Sequence, residues 1–113
     1  MAIFIAKRLS GPVVLTTSAA AQFSVGSGKT AVCKQFIISN TSASSASVTF
    51  HLVPSSGSAA IGNAFVYQLS IAPNSSLIYA ADIPLESGES IHALASASSA
   101  VNLKITGIIQ QNM

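Results

Sequence analysis

Val101-Asn102-Leu103-Lys104-Ile105-Thr106-Gly107-Ile108-Ile109 is the stretch that decides the fold class. Val101, Leu103, Ile105, Gly107 and Ile109 alternate with Asn102, Lys104 and Thr106. A two-residue period puts each set on one face of a pleated chain, so the run reads as a half-buried antiparallel strand. The same period recurs upstream. In 47–53, Val48, Phe50 and Leu52 oppose Ser47, Thr49 and His51; in 65–71, Phe65, Tyr67, Leu69 and Ile71 oppose Val66, Gln68 and Ser70. Weaker alternation runs through 13–17, 31–40, 77–83 and 91–97.

Turn chemistry separates these runs: Ser10-Gly11-Pro12, then 25–28, 40–45, 54–57, 73–76, 86–88 and 96–99. Short strands at this spacing predict an all-β chain, a single-domain antiparallel β-sandwich or jelly-roll-like fold of about eight strands. Residues 1–12 form an N-terminal arm or first strand, and 13–113 the sandwich. The expected core is Phe36, Ile38, Val48, Phe50, Leu52, Phe65, Tyr67, Leu69, Leu77, Leu103 and Ile105. The Ala- and Ser-rich stretch 56–64 contains Gly57 and Gly62 and reads as a loop.

Composition points to permanent contact. Of 113 residues, 50% are hydrophobic and only 7% charged, and mean hydropathy is +0.59. Soluble domains carry about a quarter charged residues, and those charges keep neighbours apart. Ser, Ala, Thr and Asn fill the exposed positions here, which suits a building block. A homo-oligomer, most simply a trimer, is therefore expected. The run 91–97 is apolar or small on both faces, so it is either central to the sandwich or buried at a subunit contact; the contact is the favoured reading, with His92 and Leu94 as the contact strand. Ile3, Phe4 and Ile5, beside Lys7 and Arg8, form an apolar segment suited to act as an assembly arm.

Other partners are disfavoured. The five Lys and Arg residues are scattered, too sparse for a nucleic-acid interface. No apolar run approaches the ~20 residues of a membrane-spanning helix. The opening segment is too short for a secretory signal, and its positive charges follow the apolar stretch instead of preceding it. Synthesis and retention in the cytoplasm until assembly are expected.

No motif carries chemistry. Gly26-Ser27-Gly28-Lys29-Thr30 resembles the end of a phosphate-binding loop, but Phe23 stands where the first glycine belongs and a strand-like run follows. It reads as a hairpin turn. His51 and His92 could meet across a sheet, yet a metal site takes three or four ligands, and the reading is of ordinary strand histidines. Glu86 and Glu89 flank a tight turn. Cys33 cannot form an intrachain disulfide and reads as a structural thiol. No G-x-S-x-G elbow or triad is present. Asn40-Thr41-Ser42 and Asn74-Ser75-Ser76 match the glycosylation sequon but are also ordinary turn sequences. With no Trp, and Tyr67 and Tyr79 assigned to the core, little is left for a sugar-binding surface. No catalytic residue, cofactor site or metal site is expected.

The succession Lys34-Gln35-Phe36-Ile37-Ile38-Ser39-Asn40-Thr41-Ser42, then Ser47-Val48-Thr49-Phe50-His51-Leu52-Val53-Pro54, Ile71-Ala72-Pro73-Asn74 and Leu85-Glu86-Ser87-Gly88-Glu89-Ser90-Ile91 resembles small virion structural proteins of tailed bacteriophages. It covers roughly residues 31–109. The resemblance implies an all-β, non-enzymatic virion subunit made in the host bacterial cytoplasm. Its role would be a capsid decoration or cement protein that stabilises the head lattice, or a tail or fibre component. Such decoration proteins are commonly trimers, and the implied partners are the major capsid protein or tail proteins. A carbohydrate-binding adhesin module is the reading from another class.

Overall fold

The computed structural model describes residues 2–112, and the side chains of residues 2–4, 7, 111 and 112 lie outside that description. Eight strands are present among the described residues: β1 (Ala2–Val14), β2 (Ala20–Ser24), β3 (Lys29–Asn40), β4 (Ala46–Val53), β5 (Ala64–Ile71), β6 (Ser75–Leu85), β7 (Ser90–Ala95) and β8 (Val101–Asn112). They form two four-stranded antiparallel sheets, ordered β1-β8-β3-β6 and β2-β7-β4-β5, here called the β3 sheet and the β4 sheet. β1 pairs with β8, β2 with β7, β3 with β6 and β4 with β5. The chain is thus folded back on itself as one long double strand and rolled up, joined by the β3–β8 and β4–β7 ladders. This is the jelly-roll topology, as the alternation predicts.

The core lies between the sheets. Phe36, Ile38, Leu103 and Ile105 from the β3 sheet meet Val48, Phe50, Ile91 and Ala93 from the β4 sheet, all at most 1% exposed. Phe36 and Phe50 touch across the gap with ring centroids 4.9 Å apart. Phe65 and Tyr79 pack around Phe36 with centroids 6.0 Å away. Of the remaining expected core residues, Leu52, Phe65 and Leu69 are partly buried against this cluster, and Leu77 is half-buried.

Two expectations are corrected, and one strand was missed. Ser10-Gly11-Pro12 does not end the first strand: β1 runs through it to Val14, with irregular register between Arg8 and Val13. β1 is an edge strand, where a proline's missing N–H costs no ladder bond. β2 was not legible as a strand because Ala20-Ala21-Gln22 lacks β-formers. Tyr67 is 57% exposed rather than core, and Val66 is buried instead. Register shifts around Phe50 and a positive φ of 51° at Gln68 break the period within β5, so that Val66 turns inward and Tyr67 outward while Phe65, Leu69 and Ile71 keep their expected side. The loop reading of 56–64 is refined by one 3-10 turn, Ile61–Asn63.

A buried Asn40 ties two connections together. Its Nδ2 donates to the carbonyls of Ser44 (2.9 Å) and Ile71 (3.1 Å), and its Oδ1 accepts from the Ser42 N–H and hydroxyl. This holds the β3–β4 connection against the end of β5. Gly107 answers a different need: a Cβ there would collide with the Val32 carbonyl oxygen.

Phe50→Ala is expected to cost about 3–5 kcal/mol in denaturant unfolding, from lost burial plus the cavity left behind. Asn40→Ala is expected to cost about 1–3 kcal/mol, from carbonyls left without donors.

Candidate interaction surface

β7 lies inside the β4 sheet, between β2 and β4. Its alternation buries Ile91, Ala93 and Ala95 inward and leaves His92 and Leu94 half-buried on the outer face. Leu94 pairs with Thr49 and His92 with His51 across the β4–β7 ladder. The loop that returns from β4 to β5 folds over this face. His51 Nδ1 lies 2.9 Å from the Ala60 carbonyl oxygen and 3.0 Å from Asn63 Oδ1. Asn63 braces the loop in turn: its Oδ1 accepts from the Ala60 N–H and its Nδ2 donates to the Ser58 carbonyl. Between loop and sheet lies a cleft of about 340 Å³, lined by Thr49, His51, Ile61, Tyr67, Gln68 and Leu94. Ile61 is 76% exposed at its rim.

Burial, and after it the charge of His51, hold the pKa of His92 below its ordinary 6.5. Two imidazoles on one sheet face resist a second positive charge. Burial also pushes the Cys33 thiol up to about 12, so the thiolate needed for reactivity does not form near neutral pH.

The N-terminal segment is part of β1. Ile3, Phe4, Ile5, Lys7 and Arg8 are register partners of Gln111, Gln110, Ile109, Gly107 and Thr106 in β8. The side chains of Ile3, Phe4 and Lys7 lie outside the described residues; Ile5 and Arg8 are exposed. The outer face of the β3 sheet carries a shallow depression around Ala6, Ala80, Thr106 and Ile108, crossed by the Lys34–Asp82 ion pair at 2.8 Å. Both partners are well exposed, so the pair contributes little to stability. Ile78 and Val14 add exposed apolar surface.

The remaining motif residues serve turns. Residues 25–28 join β2 to β3, which belong to different sheets, so the predicted hairpin is instead a crossing between layers. Glu89 accepts the Glu86 N–H at 2.8 Å, and the Gly88 N–H donates to the Val25 carbonyl, tying two turns together. Asn40 is 1% exposed and fully engaged, which removes it as a glycan acceptor. Among the described residues, no three His, Cys, Asp or Glu side chains converge. The alternation of β7 disclosed His92 and Leu94; the cleft around Tyr67, Thr49 and Ile61 was hidden by the register break in β5.

The chain matches no protein-family model, and no curated protein sequence matches it. Among solved structures, it is similar in fold to a chain of infectious bursal disease virus, Gx strain, with TM-score 0.54 and 8% identity over 97% of this chain and 32% of that one. The chain therefore spans about a third of that viral protein. The tobacco streak virus coat protein dimer aligns at TM-score 0.43 and 14% identity, over 98% of this chain and 84% of that one. At 8% identity the likeness to the infectious bursal disease virus chain is one of fold alone.

Because burial holds the His92 pKa below its ordinary value, the contribution of that residue to native stability is present above the ordinary value and is lost as pH falls through the lowered one. Thermal melts across that range are expected to show this loss. His92→Gln is expected to flatten it.

Proposed function

We propose that this protein is a non-enzymatic structural subunit of a virus particle, acting by contact to stabilise a coat lattice as a decoration protein. The observation that carries the reading is the nested eight-strand jelly roll, similar in fold to the infectious bursal disease virus chain. A surface with few charges that displays Ile5, Val14, Ile61, Tyr67 and Ile78 supports it. Contacts of this chemistry come from apolar burial and backbone pairing, which salt screens little. Binding only the assembled lattice then stabilises that lattice by mass action. The outer face at His92 and Leu94, and the edge strand that begins with Ile3, Phe4 and Ile5 and continues to Lys7 and Arg8, are the proposed contact surfaces. The protein self-associates, as a trimer, and its partner is the major capsid protein of a tailed phage.

One observation favours a second reading. Tyr67 stands exposed beside Gln68 in the cleft, an aromatic platform with a polar neighbour, as a glycan-binding module on a tail or fibre would use.

Purified protein added to heads that lack it is expected to bind saturably, to raise their heat resistance, and to do both at low and high salt. Sedimentation at micromolar concentration is expected to show an oligomer. Attachment to tails rather than heads, or glycan binding abolished by Tyr67→Ala, would instead support the second reading.

A further inference from the structure

We propose that His51 and His92 form a two-imidazole chelate for a borderline divalent cation, Zn²⁺, Ni²⁺ or Cu²⁺, on the outer face of the β4 sheet. The two residues are direct partners in the β4–β7 ladder. Side chains directly opposed on one face have Cβ atoms about 4.5–5.5 Å apart, close enough for each ring to offer one nitrogen to a shared ion. On the other side of His92 its ladder partner is Ala21, whose methyl group leaves the approach open.

The tautomer of His51 is fixed by its surroundings. Both groups near Nδ1 are acceptors: the Ala60 carbonyl, and the Asn63 Oδ1 that also receives the Ala60 N–H. Nδ1 therefore carries the hydrogen, and in the neutral ring the lone pair sits on Nε2. Metal-binding histidines are held in this way, one nitrogen donating to a carbonyl so that the other is oriented and made more basic. His51 is 6% exposed; among the described residues no buried side-chain nitrogen lacks a hydrogen-bond partner, so its Nε2, which has none among those residues, keeps access to solvent. The His92 ring makes no hydrogen bond within the described residues and is half-buried, so its nitrogens are uncommitted.

Imidazole suits zinc, nickel and copper, whereas magnesium and calcium take oxygen ligands. No third His, Cys, Asp or Glu side chain joins the pair among the described residues. The remaining coordination positions therefore belong to water, and the ion is exchangeable rather than a folding requirement.

The untagged full-length chain titrated with each of the three metal chlorides at about pH 7.5, where ordinary imidazoles are neutral, should take up one ion per chain by calorimetry. Uptake should release protons and weaken as the pH is lowered. Cu²⁺ should broaden the ring resonances of His51 and His92 before any others, a readout that needs no variant. His92→Gln, at a partly exposed position, should abolish saturable uptake while circular dichroism stays native, and Asn63→Ala should weaken it about 10–100-fold. Absence of saturable binding for all three metals, broadening centred elsewhere, or uptake unchanged in His92→Gln would overturn the proposal.

Discussion

The contact between Phe36 and Phe50 is the interaction on which the rest of the structure depends. Each ring sits on a strand with hydrogen-bonded neighbours on both sides, β3 between β8 and β6, and β4 between β7 and β5. Packed sheets lie about 10 Å apart, and two rings with centroids 4.9 Å apart fill that gap at its centre. Phe65 and Tyr79 close the cluster on the β5–β6 side. β3 and β4 are consecutive in sequence but belong to opposite layers, so the aromatic contact and the Asn40 clamp together fix how the chain crosses from one sheet to the other. Every later strand is laid down against one of those two.

The scarcity of charge has a counterpart in how the connections are held. Short neutral side chains satisfy the backbone where another protein would use ion pairs. The Ser87 hydroxyl donates to the Lys29 carbonyl at 2.6 Å, Ser96 Oγ accepts the Ser47 N–H at 2.9 Å, and Ser75 donates to the Ala72 carbonyl at 2.7 Å. Part of the Ser content that makes the composition unusual is used in these staples. It leaves the outer faces poor in charge without leaving the loops unsupported.

Much of the fold was legible because burial on one face imposes a period of two, and β8, β3 and β4 show it in Val101–Ile105, Phe36–Ile38 and Val48–Phe50. What was not legible has local causes. Gly11 and Pro12 look like a turn but lie on an edge strand that tolerates them. Ala20 and Ala21 carry no strand signal, and their pairing comes from β7. Tyr67 was misplaced because one irregular residue, Gln68, changes which side chains face inward, and no alternation rule contains such a break. The same limit applies to the surface. The outward position of His92 and Leu94 follows from β7 alone, whereas the meeting of His92 with His51 is a matter of register between residues 41 apart in the chain.

The nested pairing also sets an order of events in time. β4 and β5 are neighbours in sequence, joined by residues 54–63, and can meet early, whereas β1 must find β8 across nearly the whole chain. Pairings distant in sequence carry the larger loop-closure cost and slow folding. During synthesis β1 leaves the ribosome long before its partner exists, so Ile3, Phe4 and Ile5 wait without the strand they are registered against. The roll closes from the inside outward, and its first-made strand is the last to be seated.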